Sequence, residues 1–343
     1  MKRALLLSFL FLVALRVRTG APEAPPNVRR SAKPVPAVDV PLDLPADVPL
    51  SADEPIADRV VESVEREVES ACPAPLRWLL NSQNPDGSWG DGVTSLDGVL
   101  IGKPGLTGLA LLSFLGVGYS HLSKDRYDGL CMGDVVRDGL RLLQDDQRED
   151  GLFRSARSAL DHALAALALS EAYGLTGSNA FKDHAQASVD ALLSLQLRDG
   201  SWGDGPTTTW AADVLKSAEL GQLAFPRSAY DGLRAYYDRR GAPDAREMIA
   251  RIFMDKNRAD PLHANVAAML VASPPTSGRS LVDLYFETRA LFQYDGPDGP
   301  SFKAWAEPFK RTVREREALQ GPRGSDRVIH ASLTALCWTI YYR

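Results

Sequence analysis

Gln83-Asn84-Pro85-Asp86-Gly87-Ser88-Trp89-Gly90-Asp91-Gly92 returns later in the chain as Gln196-Leu197-Arg198-Asp199-Gly200-Ser201-Trp202-Gly203-Asp204-Gly205. A weaker copy, Gln147-Arg148-Glu149-Asp150-Gly151-Leu152-Phe153, keeps the same Gln-to-Gly-to-aromatic spacing. The two strong copies each follow an apolar helical run. A turn that recurs with tens of residues between copies marks stacked supersecondary units. Within it, Asp86 and Asp199 suit the turn's start, and Gly87 and Gly200 suit a positive φ. Trp89 and Trp202 are large wedges with one donor each to satisfy, and are read as stabilising staples.

Between the repeats helical periodicity dominates and strand-like alternation is nearly absent. Amphipathic runs with a charged face span residues 57–82, 126–147, 179–197, 227–239, 261–272 and 302–319. Runs richer in Ala, Leu and small residues span 105–116, 158–173, 207–220, 245–255, 281–294 and 328–341. A helix with one apolar face belongs outside, and one apolar nearly all round is enclosed by others. Six such pairs predict an all-α fold, an (α/α)6 toroid of six outer and six inner helices. An open helical solenoid is the alternative layout. The small residues of Ala163-Leu164-Ala165-Ala166-Leu167-Ala168-Leu169 would let inner helices approach closely while the leucines fill the gap to the outer layer.

The ends of the chain differ in kind. Lys2 and Arg3 precede an apolar run over residues 4–15, too short for a membrane span and laid out like a secretory signal, with Thr19-Gly20-Ala21 as a cleavage site. An uncleaved N-terminal anchor, and membrane association through it, is the alternative. Nine prolines between residues 22 and 55 favour extended conformations. The expected organisation is an export signal or anchor at 1–21, a Pro-rich linker at 22–56 and the toroid at 57–343, in a periplasmic, secreted or membrane-tethered protein. A formal net charge of −5 with interspersed signs offers no basic stripe for nucleic acid. Cys72, Cys131 and Cys337 are too scattered for a zinc site, so no metal or cofactor is expected.

The Gln83/Gly87/Trp89, Gln147/Gly151/Phe153 and Gln196/Gly200/Trp202 sets resemble the Gln-Trp repeat of squalene–hopene cyclases. The wider superfamily includes the β-subunits of protein prenyltransferases, and is built on α/α toroids. The resemblance implies that Gln and Trp tie an outer helix end to the next inner helix start. It implies no activity here. The cyclases' Asp-x-Asp-Asp acid has no counterpart, and Gly205-Pro206-Thr207-Thr208-Thr209-Trp210 stands at the head of the third inner helix. Hydroxyls cannot protonate an alkene. The prenyltransferases' Asp/Cys/His zinc set is also unmatched, although His330 and Cys337 share one helix face.

A set of polar and aromatic residues is expected near the heads of inner helices, converging on one mouth of the ring. It comprises Thr107, Asp161, His162, Thr209, Trp210, Arg246, Glu247, Tyr285, Glu287, Thr288 and His330. Unpaired helix N–H groups there would favour an anionic or hydroxyl-rich ligand. Each also has a plainer reading: Asp161 as a first-turn acid, His162 as a hydrogen-bonded interior histidine, Trp210 as core, Glu287 and Arg289 as an ion pair. Two classes of function follow. One is a non-catalytic binding module for an apolar chain, glycan or peptide. The other is an enzyme: a carboxylate-dependent glycan hydrolase or lyase with Asp161 and Glu287 as its pair and His162 assisting, or a divergent isoprenoid cyclase. A plugged centre would favour a structural or rim-binding role.

Overall fold

The computed structural model describes residues 73–318 and 323–340. The expected signal, linker, the start of the 57–82 helix and Cys72 lie outside the described residues, as does the last residue of the 328–341 helix. Twelve helices occur among the described residues: α1 Ala74–Asn81, α2 Lys103–Gly116, α3 Met132–Asp146, α4 Ala159–Thr176, α5 Asn179–Ser194, α6 Gly205–Leu220, α7 Ser228–Asp238, α8 Ala245–Asp255, α9 Pro261–Ala272, α10 Leu281–Asp295, α11 Pro300–Ala318 and α12 Gly324–Thr339.

The even-numbered helices form the inner layer. Each packs on the next, from α2 through α4, α6, α8 and α10 to α12, and α12 returns to α2. A bond from Ser113 Oγ on α2 to the Ser332 carbonyl on α12, 3.2 Å, lies in that closing contact. The layout is therefore a ring and not an open solenoid. Odd-numbered helices sit outside: α3 touches α2 and α4, α5 touches α4 and α6, and α11 touches α10 and α12. All of α2 after Lys103 is buried, and so is the unbroken run 160–170 of α4, as enclosure demands. The close approach of these two helices depends on glycine as well as alanine. A Cβ on Gly108 would meet the Leu164 carbonyl group of α4 at 2.5 Å.

All three repeats are built alike. Gln83 donates to the Gly87 carbonyl of its own turn and to the Val135 carbonyl of the next outer helix. Gln147 donates to Gly151 and His184, and Gln196 to Gly200 and Ala229, so each amide ties its turn to the outer helix ahead. The repeat glycines have φ near +88°, +82° and +84° at Gly87, Gly151 and Gly200. Any Cβ on them would overlap the backbone carbonyl of Asp138, Ala187 or Gly232, respectively. Trp89 and Trp202 are buried, and their indole N–H groups reach back to the carbonyls of Leu79 and Leu192 in the preceding outer helix. Their own amides bond forward to Thr107 and Thr208 at inner helix starts. The weak copy keeps the glutamine bonds and a buried Phe153, and lacks the indole bond because phenylalanine has no donor.

Two short hairpins depart from the all-helical reading. Strands β1 Thr94–Leu96 and β2 Val99–Ile101 pair antiparallel ahead of α2. Strands β3 Arg126–Tyr127 and β4 Leu130–Cys131 occupy the start of the expected 126–147 helix, which begins only at Met132. Both turn on Asp-Gly. Asp97 and Gly98 have φ of 51° and 82°, and Asp128 and Gly129 have 52° and 80°. Positive φ at both central residues matches the twist of a two-residue hairpin.

Candidate functional site at the ring mouth and rim

The heads of the inner helices share one end of the ring, and the β1–β2 hairpin crosses it. The hairpin is rooted ahead of α2. Its tip residue Asp97 pairs with Arg246 at the head of α8, 2.7 Å, the inner helix opposite α2 in the ring. Arg246 also reaches Asp283 at the head of α10, 3.0 Å, and lies over the Phe286 ring. Thr94 bonds to Asp326 at the head of α12. Leu96 and Ile101 point inward and are buried. The hairpin is thus a strap over the mouth, fastened directly at α8 and α12 and linked through Arg246 to α10.

Beneath the strap the centre is occupied by side chains. Inner helices packed about 8–10 Å apart in a hexagon place second neighbours about 14–17 Å apart, a gap that two large side chains can span. Trp210 of α6 and Tyr285 of α10 do so, stacked with ring centroids 5.9 Å apart, and Phe286 meets Trp210 edge-on at 5.1 Å. One turn further along, Arg289 of α10 donates to both carboxylate oxygens of Asp213 on α6, at 2.7 and 3.0 Å. The guanidinium also lies 4.9 Å from the Tyr285 ring centre. Asp213 and Arg289 were not among the sequence candidates. Buried charges inside a closed ring need partners, and these two find each other.

The remaining candidates are distributed through the ring wall. Asp161 is fully buried and accepts backbone N–H bonds from Gly102 (2.8 Å), Gly105 (2.5 Å) and Arg157 (2.7 Å), so it caps α2 from α4. Burial pushes the Asp161 carboxyl up, against those three donors, which favour the anion. The expected assistance of Asp161 by His162 is not seen: no hydrogen bond joins the two side chains. His162 turns toward the outer layer, where Nε2 meets the Ser188 carbonyl at 3.0 Å and the ring packs on Phe153. Burial lowers it to about 4, so the ring is neutral near pH 7. The N–H groups expected to be free at the α2 head are likewise used by Asp161.

Glu287 pairs with Arg279, 2.5 Å, and not with Arg289. Burial pushes its carboxyl up to about 7 against the pull of Arg279. Glu247 bonds Arg251 of its own helix, 2.8 Å. Thr107 and Thr209 are buried, Thr107 beside the Trp89 amide and Thr209 bonded to the Gly205 carbonyl. Thr288 accepts the indole N–H of Trp305 from the outer layer, 2.9 Å. His330 is half-buried on α12, its pKa lowered by burial and by Arg327 and Arg316. Cys337 lies further along α12, with its thiol on the Leu281 carbonyl. The structure therefore joins Trp210 to Tyr285 at the centre and Arg246 to the strap. It brings neither Asp161 to Glu287 nor His162 to the mouth.

At the rim beside the strap lies a cleft of about 540 Å³. One wall is the first repeat turn, with Asn84, Asp86, Asp91 and Val93. The other is Lys103 at the start of α2, with Ser155 and Arg157 ahead of α4. Lys103 and Arg157 escaped the sequence reading because neither belongs to a motif. Asp97 had a legible signal, the Asp-Gly pair between short apolar runs.

The closed double ring, its three glutamine-tied turns and the inner-helix mouth define the class: a helical toroid with a terpenoid-cyclase-like fold. Among solved structures, it is similar to the type II terpene cyclase MstE from Scytonema, determined with its substrate geranylgeranyl dihydroxybenzoate. That likeness has a TM-score of 0.50 and 13% identity, and covers 79% of this chain and 96% of that one. At this identity it establishes the fold alone. No family profile matches the chain, and no curated protein matches it either.

Proposed function

We propose that this toroid is a non-catalytic binding module that holds its ligand at the rim, and not an isoprenoid cyclase. The observation that carries this reading is the occupied centre, where Trp210, Tyr285 and Phe286 meet across the ring above the Asp213–Arg289 pair. A polyprene chain needs that space, and an alkene needs a strong carboxylic acid facing it. Asp161 spends its oxygens on three backbone donors, and Asp213 spends both on a guanidinium. The cleft at the first repeat, by contrast, is open, and Pro85 and Val93 line it together with Asp86, Asp91, Lys103 and Arg157. The fold likeness to a terpene cyclase fits a shared scaffold with a different site, since function resides in sites and not in folds.

The test is direct. Purified full-length protein is incubated with squalene and, separately, with geranylgeranyl dihydroxybenzoate, and extracts are analysed by chromatography and mass spectrometry. The expected outcome is unchanged substrate in both. A cyclic product, lost in Asp161→Asn or Glu287→Gln, would overturn the binding-module reading and identify the acid.

A further inference from the structure

We infer that the strap is a gate: it opens as one unit about its roots, with the Asp97–Arg246 pair as its latch, while the ring beneath stays closed. The gate is independent of rim binding. In sequence the strap is an insertion into a repeat. In the third repeat Gly205 directly follows Asp204 and opens α6, and Asp204 caps that helix through the Thr207 amide, 2.6 Å. In the first repeat the matching Asp91 is followed by residues 92–102 before α2 opens at Lys103. The joints are otherwise alike, with Pro104 and Pro206 each second in their helices. Asp91, displaced from its own helix, accepts instead from the Ser325 amide and hydroxyl at the head of α12, both 2.9 Å. The α2 amide that corresponds to Thr207, that of Gly105, is served by Asp161 of α4. The bonds that close the ring at this seam are therefore made by residues outside the hairpin, and lifting it leaves them in place.

The flanks of the strap are bonded to the two neighbours of α2. Thr94 meets Asp326 of α12, and the Leu100 carbonyl accepts from the Ser158 hydroxyl at the start of α4, 2.6 Å. Across the ring the tip has one polar attachment among the described residues, Asp97 to Arg246. That contact has the distance of an ion pair, yet Asp97 Oδ2 makes no hydrogen bond of good geometry. Arg246 keeps its second partner, Asp283, so it is not stranded when Asp97 departs. Gly98 and Leu100 are exposed, and Asp97 and Val99 are half-buried, so the tip has little to lose to water. Leu96 and Ile101 are buried and make the closed state the ground state. Opening also relieves a cost. Trp210 Nε1 and Glu287 Oε2 are buried with no hydrogen-bond partner among the described residues. Trp210 packs on Phe286, the ring beneath Arg246, and Glu287 follows Phe286 on α10. Water admitted at the mouth would satisfy such atoms, and burying them unmet is costly. A segment with few buried side chains, an exposed tip and a single latch is the kind that opens without the rest of the fold.

The experiment is amide hydrogen exchange of the full-length protein at neutral pH, read by mass spectrometry. Wild type is compared with Asp97→Asn, Asp97→Glu, Asp91→Ala and a variant whose residues 95–100 are replaced by Gly-Gly. In wild type the peptide over residues 93–102 should exchange faster than peptides from α2, α4 and α12. Asp97→Asn should quicken the strap peptide about fivefold, the effect of one partly exposed ion pair, and leave the inner helices unchanged. Asp97→Glu should recover part of that change. Asp91→Ala should do the reverse and quicken the head of α12 more than the strap. The Gly-Gly variant should fold, by circular dichroism, with wild-type protection in α2, α4 and α12. The gate is overturned if strap and ring exchange together in wild type, or if Asp97→Asn leaves the strap unchanged or quickens the ring equally. It is also overturned if Asp91→Ala leaves the α12 head unchanged, or if the Gly-Gly variant does not fold, since the strap would then be part of the ring closure.

Discussion

Removing one partner of the Asp213–Arg289 pair tests the filled centre most sharply. The two residues are only 6% and 9% exposed, and two hydrogen bonds at 2.7 and 3.0 Å join them across the ring. In Arg289→Met the aliphatic stem stays and the charge goes. Asp213 is then left as an unpaired buried carboxylate, which should cost about 3–5 kcal/mol of stability. Asp213→Leu leaves the guanidinium against Tyr285, Phe286 and Phe253, at 4.9, 5.6 and 5.9 Å. Those ring faces should offset about 1–2 kcal/mol of the loss, so this variant should be the less damaged of the two. The double variant Asp213→Leu/Arg289→Met replaces the pair with apolar volume and should return to within about 1.5 kcal/mol of wild type, or exceed it. The assay is urea unfolding at neutral pH followed by far-ultraviolet circular dichroism, with the four proteins forming a double-mutant cycle. A coupling energy below about 1 kcal/mol would mean that the pair is solvated, that the centre is open, and that the argument against a polyprene chain inside the ring fails.

Four further outcomes rest on other contacts in the ring. Trp202→Ala should lose about 3–5 kcal/mol of stability in urea, as for other large buried aromatics, and Gly200→Ala should be severe for its size because its Cβ meets the Gly232 carbonyl group at a φ of +84°. His162 is held neutral with its pKa lowered to about 4, below the ordinary 6.5, so its contribution is present above pH 6.5 and lost as pH falls toward about 4. Over that window, the unfolding free energy of His162→Gln should fall less than that of wild type, by an amount approaching about 3 kcal/mol. Asp97→Ala should unfasten the strap tip from Arg246, and hydrogen exchange should then quicken at residues 94–101 while the α4 amides stay protected.

The sequence by itself determined the frame. Helical periods, the separation of small-residue helices from charged ones, and the three Gln-x-x-x-Gly-x-aromatic turns were enough to fix twelve helices in two layers. These signals are local: a period is read within one helix, and a turn glycine is required by its own φ and by the next outer helix's carbonyl. The hairpin at Asp97-Gly98 was also legible, as an Asp-Gly pair between two short apolar runs. Only the tertiary structure decided where the site residues point. His162 and Asp161 are adjacent in sequence yet serve different layers, because successive side chains on a helix diverge by about 100°. Asp213 and Arg289 lie on helices that do not adjoin in the ring, and no periodicity records a contact made across its centre.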